Sequence, residues 1–283
     1  MSDTQPPPSL HLDSSAIDAS AAPRDAAAAP TIKNKAPLYL YGVTAVDEPI
    51  PEGILGLDDQ PVLAVPVGGV AAVVSHAPPG RIRPERRLLA AHQRVVQRLS
   101  GAVTLLPVAF GTIMKDLGAL RRLLLEHGAE FADQVDRVRG RAEMTLRVRL
   151  DVANVVAHVV AEEPELAALR ERIAQGKAGH EEKVEAGRAF ERAMNDRRDR
   201  TDAVVREAIA EIIAASAVLP RRTEGELLGL ACLVDRSRLS AFEAAIDALA
   251  TRLDDHHAIE VSGPWPPHSF VGVSSAVERS QAA

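Results

Sequence analysis

The stretch Gly263-Pro264-Trp265-Pro266-Pro267-His268-Ser269-Phe270-Val271 limits the fold more than any other part of the chain. Each proline removes a backbone donor and holds φ at about −65°. The segment is therefore excluded from helix interiors and from central strands. It must be a rigid, extended connection that presents Trp265 and Phe270 to a surface, either the protein's own core or a partner. Large rings are scarce, with one Trp, two Tyr and five Phe in 283 residues. Five of these eight fall in three short patches: Tyr39 and Tyr41, then Phe110, then Trp265 and Phe270.

The segment follows the clearest unit in the sequence. Residues 227–234 read as a strand. Leu239, Phe242, Ile246, Leu249 and Leu253 recur at steps of three and four, which gives a helix one apolar stripe. Residues 258–261 form a second short strand. Strands and helices also alternate upstream. Residues 38–43 are rich in β-formers, and 62–67 with 70–75 make a hairpin about Gly68-Gly69. Pro84 reads as the first-turn residue of a helix. In that helix Leu88, His92, Val95 and Leu99 share a face, and Gly101 ends it. Residues 103–108 are extended. Two short helices, about 116–127 and 129–139, are separated at Gly128 and closed at Gly140. Residues 143–150 alternate polar and apolar, as a strand with one wet face does. Pro164 opens a helix to about Gln175. A longer, highly charged helix follows Gly176 and Gly179 and runs to about Ala217, making a helical hairpin. The fold class is α+β, with two ferredoxin-like α/β units, mostly antiparallel sheets, and a helical hairpin extension in the second. Residues 1–36 are a tail too poor in large apolar side chains to offset the entropy of ordering.

Chemistry is mostly missing from this pattern. A formal net charge of −6 argues against a nucleic-acid binder, which needs a basic face to displace counterions. Tyr39 and Tyr41 share a strand face, as base-stacking rings do in RNA-recognition modules, but no second aromatic strand accompanies them. The single cysteine, Cys232, lies in an apolar run and reads as a buried, inert thiol. It has no internal disulfide partner, which fits a reducing cytoplasm. No basic-then-apolar leader is visible. The longest apolar stretch, 62–74, is broken by Pro66, Gly68 and Gly69 and is too short for a bilayer. Phosphate loops, zinc-binding His pairs, nucleophile elbows and C-x-x-C pairs are all missing. Asp254-Asp255-His256-His257 is the one tight acid–His cluster and reads as a solvated turn rather than a metal site. His92, on an apolar helix face, reads as a core or interface histidine rather than a catalytic base. Arg197, Arg198 and Arg200 read as a solvated helix face, and the paired acids Glu162-Glu163 and Glu181-Glu182 as helix starts. No catalytic, cofactor-binding or metal-ligating residues are assigned.

Three patches in order, Leu38-Tyr39-Leu40-Tyr41-Gly42-Val43, Leu105-Leu106-Pro107-Val108-Ala109-Phe110-Gly111-Thr112 and the proline segment, resemble the gas vesicle protein F/L family. His92 matches as well. The resemblance spans about residues 37–273. It implies an N-terminal α+β domain over 37–145 and a modified ferredoxin-like domain over 146–273. The latter carries a helical insertion at about 162–217, and 274–283 form a C-terminal tail. It also implies a non-enzymatic accessory or minor structural protein, in the cytoplasm and at the gas vesicle. Such a protein binds the hydrophobic shell protein, works with other gas vesicle accessory proteins, assists assembly and uses no cofactor, membrane or nucleic acid. Two positions depart from the family's habit: Ala109 stands where Arg is usual, and His268 where Tyr is usual. Tyr39, Tyr41 and Phe110 are assigned to partner contact, the alternative being that they fill the domain core. His92, Gly111, Trp265, Pro266, Pro267 and Phe270 are assigned to structure, with the proline segment a clasp for the C-terminal chain. A second reading, from another class, is a ferredoxin-like regulatory module that binds a small metabolite between its two units.

Overall fold

Strand β1 (Leu38–Ala45) is buried along its whole length in the computed structural model, which describes residues 31–80 and 82–282. The tail expected over 1–36 lies outside the described residues as far as residue 30. A strand buried on both faces must be covered on both sides. β2 (Leu63–Val67) and β3 (Val70–His76) form the expected hairpin. β3, β4 (Leu106–Pro107) and β5 (Ile113–Met114) all pair antiparallel with β1, giving the order β2-β3-β1-β4 with β5 also on β1. Helix α1 (Arg86–Ser100) covers one face, packing Leu88, Val95, Val96 and Leu99 against Tyr39, Tyr41 and Val73. Helix α2 (Leu117–Val138) covers the other, packing Leu120, Leu123, Phe131 and Val135 against Leu38, Leu40 and Val43. The β1–β3 register slips between Leu40 and Gly42. That bulge lets Leu38 and Leu40, then Val43 and Ala45, face α2 while both tyrosines face α1.

The second sheet holds β6 (Arg141–Leu150), β7 (Ile213–Val218), β8 (Glu226–Asp235) and β9 (His257–Trp265). Its order is β7-β8-β6-β9, and every pairing is antiparallel. Helices α3 (Val155–Glu162), α4 (Pro164–Ala174) and α5 (His180–Ile209) connect β6 to β7, and α6 (Leu239–Ala250) connects β8 to β9. This β-α-β-β-α-β winding is the ferredoxin-like one, with α3 and α4 added ahead of the long crossover helix. The first sheet is wound differently, because β1 is followed by a hairpin rather than a helix. Both units are α+β with antiparallel sheets.

Several local expectations are corrected. Pro84 precedes α1, whose N-cap is Glu85. The two helices divided at Gly128 are one, since Gly128 packs near Val70 and buried Leu124 and Phe131 on either side of it share one core. An interior glycine costs about 1 kcal/mol against alanine, less than such burial contributes. The long helix ends at Ile209, and the alanine-rich stretch after it is β7, drawn into the sheet by its ladder to β8. The expected wet face of β6 is only partly wet: Arg141, Thr145 and Arg149 are half-buried, but Glu143 and Arg147 on the same face are buried, at 6% and 8% exposure. Arg147 pairs with Glu226, and Glu143 is covered by the returning C-terminal chain. β9 runs past Val261 into the proline segment and pairs Trp265 with Glu143 after a register shift. The strand is at the sheet edge, where a missing proline donor is tolerated. Beyond it lies α7 (Val273–Ala282), where a tail was expected; Val273, Ala276 and Val277 complete the core beneath α2.

Candidate functional site: an apolar groove beside a buried ring cluster

The aromatic patches meet in space. Tyr39 and Tyr41 project from β1 with ring centroids 4.9 Å apart. His92 of α1 stacks on Tyr41 at 5.8 Å and 22°, and meets Tyr39 edge-on at 5.7 Å. Phe110, on the loop after β4, is edge-on to Tyr39 at 6.2 Å and to His92 at 5.8 Å. Pairs at such separations add about 0.5–1.5 kcal/mol each beyond their buried area.

A chain of hydrogen bonds runs through the cluster. The Gly111 N–H donates to Tyr39 Oη at 3.0 Å, from a left-handed turn with φ +87° at Gly111. Tyr39 Oη lies 3.0 Å from His92 Nδ1. With its oxygen accepting from Gly111, the hydroxyl proton goes to Nδ1, and the imidazole makes its other bond to the Val108 backbone. A neutral ring with one acceptor and one donor nitrogen fits this arrangement. Desolvation, with His268 nearby, lowers His92 to about 4, against the opposing Val108 bond. Burial raises the Tyr39 hydroxyl, so it stays protonated. Tyr41 Oη accepts from the Leu57 N–H at 2.9 Å and lies 3.1 Å from Ser75 Oγ. Gly56 packs so tightly here that a Cβ would collide with the Tyr41 hydroxyl.

Tyr39 and Tyr41 are therefore fully buried and hold the cluster from behind. They do not supply a contact surface, which corrects the assignment from sequence. Phe110 remains half-exposed. In front of it lies a groove of about 390 Å³. Helix α1 contributes Leu89, Val96 and Gln97, the loop contributes Ala109 and Phe110, and the end of β9 contributes Trp265, Pro266 and His268. Trp265 is half-buried, with its indole N–H donating to Ser262 Oγ at 3.3 Å.

Glu143 also lines the groove, although nothing in the sequence singled it out. Its carboxylate accepts from the Ser269 N–H at 2.8 Å and from the Ser269 hydroxyl at 2.9 Å. Desolvation raises its pKa, and these bonds oppose that rise. They pin the turn that follows Pro267. Phe270 leaves that turn and packs against the α2 core. Gln134 Oε1 accepts from the Gly272 N–H at 2.7 Å, and Ser274 Oγ accepts from the Ala109 N–H at 3.0 Å. Trp265 and Phe270 thus play different parts: one lines the groove, the other anchors the chain behind it.

Other candidates lie elsewhere. His257 Nδ1 sits 2.7 Å from Asp254 Oδ1, which also accepts from the His256 N–H, in the exposed turn before β9. Among the described residues no group of three or more His, Cys, Asp or Glu side chains is placed to hold a metal ion. Cys232 is buried on β8, and burial pushes its thiol up to about 12. Arg197 pairs with Glu162 and Glu163 across the α3–α5 contact, so it is not a free basic face. No helix among the described residues is long and apolar enough to cross a membrane.

The sequence profile for "Gas vesicle synthesis protein GvpL/GvpF" matches residues 37–272. Gas vesicle protein F of a Streptomyces species is 33% identical over 238 residues, covering 82% of this chain and 98% of that protein. Gas vesicle protein L of the same strain is 28% identical, covering 83% and 93%. The crystal structure of GvpF from Anabaena superposes with a TM-score of 0.72 at 24% identity, over 83% of this chain and 98% of that one. The profile covers both sheets and all three aromatic patches, and the chain belongs to the GvpL/GvpF family of gas vesicle proteins.

Proposed function

We propose that this protein is a non-enzymatic gas vesicle accessory protein that binds the hydrophobic shell protein and assists vesicle assembly through the groove between α1 and Trp265. One observation carries the reading. The three patches that mark the family converge on a single apolar recess, and their polar atoms are consumed in holding it rather than left free to react. A subunit built to form a gas-facing wall exposes apolar surface that aggregates in water unless covered. A rigid groove lined by two half-buried aromatic rings is suited to gripping such surface, since buried aromatic anchors dominate binding energy. On this reading the domains over 37–145 and 146–273 act together, because each supplies groove residues, and the protein works at the gas vesicle beside the other accessory proteins.

The test is capture of the shell protein encoded in the same genome by the full-length chain, co-expressed and affinity-purified. The isolated 37–145 piece is unsuitable, because α7 completes its core. The wild type is expected to retain the shell protein, and the double substitution Phe110→Ala/Trp265→Ala to lose most of it while its circular dichroism at the capture temperature stays that of the folded wild type. No capture by the wild type would sink the proposal.

A further inference from the structure

Four arginines meet at the loop between β7 and β8, residues 219–225. Arg221 and Arg222 belong to the loop, Arg198 reaches the Glu224 carbonyl from α5, and Arg147 reaches the Pro220 carbonyl from β6. Two buried guanidinium nitrogens have no hydrogen-bond partner among the described residues, and they are Nε of Arg147 and Nε of Arg198. Unpaired buried donors are rare and costly, so both need an explanation. Arg198 makes no ion pair; it donates to Asn195 Oδ1 at 2.9 Å and to the Glu224 carbonyl at 3.5 Å. Desolvation, with Arg221 nearby, lowers its pKa, against the pull of Glu191 and Glu224.

A cavity of about 100 Å³ lies beside Arg147 and is lined also by Arg149, Arg222, Thr223, Glu226 and Glu260. Gly229 stands opposite Arg147 on β8, where a Cβ would come within 3.0 Å of Nη1, so the glycine leaves the guanidinium its room. The acceptors of this cavity are largely engaged. Glu226 gives one oxygen to Arg147 Nη1 and the other to the Arg222 N–H at 2.6 Å. Glu260 takes Arg149 Nε at 3.4 Å, and Asp151 takes Arg149 Nη1 at 2.7 Å. The donors are in surplus. Arg147 spends Nη1 on Glu226 and the Pro220 carbonyl, which leaves Nε and Nη2. The Arg222 guanidinium and the Thr223 hydroxyl make no hydrogen bond among the described residues.

We propose that this cavity is an oxyanion site, taking a carboxylate or phosphate group between Arg147, Arg222 and Thr223. An oxyanion brings only acceptors, which the cavity lacks, and a guanidinium fork matches its geometry. Water is the weaker fit, since each molecule also carries donors and the carboxylates that would take them are already bonded. The cavity is well below the roughly 300–1,000 Å³ of pockets for drug-sized ligands. It therefore takes a single anionic group, and the rest of any larger ligand stays outside. That group has two sources: a free or small-molecule phosphate or carboxylate, and an acidic side chain of a partner protein. The inference is independent of the groove, which none of these residues lines.

The test is isothermal titration calorimetry of the full-length protein in chloride buffer at fixed ionic strength. The probes are inorganic phosphate, acetate and tetraglutamate. At least one is expected to bind saturably at concentrations up to about 10 mM. The variant Arg222→Ala/Thr223→Ala is expected to weaken that binding at least about tenfold, the loss of charge-assisted hydrogen bonds from one guanidinium and one hydroxyl. Both side chains are exposed and without partners, so the variant folds, which circular dichroism and its unfolding midpoint check. Arg221→Ala, beside the cavity but outside its lining, is expected to leave the affinity nearly unchanged. Binding of phosphate or acetate alone supports the site with a small anion as its ligand. Tetraglutamate that competes with phosphate supports it with an acidic partner. No saturable binding of any probe overturns the inference. So does binding that survives Arg222→Ala/Thr223→Ala, or that Arg221→Ala abolishes while the double variant does not, because the anion then sits elsewhere on the loop.

Discussion

Acid should loosen this protein through one imidazole. His92 is 7% exposed, and its proton would have to enter a ring whose Nδ1 already accepts from Tyr39. Burial holds its folded pKa at about 4, against about 6.5 for an unfolded histidine. The folded state therefore binds this proton more weakly than the unfolded state does. The stabilising effect is complete above about pH 6.5 and is lost progressively as pH falls toward 4. Integrating between those two values gives a loss of about 2 kcal/mol from pH 7.5 to 5.0, with a ceiling of about 3 kcal/mol below pH 4. Other groups titrate in the same window: desolvation also lowers His268 and raises Glu143. The useful quantity is therefore the difference from His92→Asn, which keeps an acceptor for Tyr39 and removes the titrating group. Urea unfolding at pH 7.5 and 5.0, read by circular dichroism, should show the wild type losing about 2 kcal/mol more than the variant across that interval. Equal losses in the two proteins would mean that His92 is accessible to protons in the folded state, and the neutral hydrogen-bonded chain would be wrong.

Gly111→Ala tests the left-handed turn: nothing crowds a Cβ there, so backbone strain alone should cost about 1 kcal/mol, or roughly 2–4 °C in Tm, by thermal unfolding. Phe131→Ala removes a fully buried ring from the core that α2 shares with α7 and should cost about 3–5 kcal/mol in chemical denaturation. Cys232 should react with a disulfide reagent only as fast as the protein opens, so its labelling rate should rise with added urea; rapid labelling in buffer would contradict its burial.

Much of the fold was legible because local signals and tertiary packing agree. The Gly68-Gly69 hairpin, the α1 stripe and the strand–helix–strand of β8, α6 and β9 each carry their own periodicity or turn chemistry. The misreadings share one cause. Gly128 reads as a break, yet it lies in a continuous helix because Leu124 and Phe131 are packed on either side of it. Residues 213–218 have helix-favouring alanines, yet they form β7 because β8 offers an open edge. Glu143 and Arg147 read as a wet face, yet Ser269 and Glu226 bind them in the interior. For Glu143 and Arg147 the deciding partner lies 126 and 79 residues away, and Leu124 and Phe131 hold Gly128 in line only because they pack on distant β1, so local periodicity could not have found them.

The site shows the same division more sharply. Residues with the loudest sequence signal, Tyr39, Tyr41, His92 and Gly111, form the support, and their polar groups are engaged with one another and with Leu57, Ser75 and Val108. The groove's own surface is made by Leu89, Val96, Ala109 and Trp265 from three elements that meet only in the folded chain. Ala109 and His268 both line that groove and stand outside the tyrosine hydrogen-bond chain. Ala109 is tied through its backbone, its N–H donating to Ser274 Oγ and its carbonyl accepting from the Thr112 hydroxyl, so its side chain is free to change without disturbing the clasp. The ring cluster can thus carry an altered groove lip without refolding, because neither side chain contributes to the hydrogen bonds that hold it.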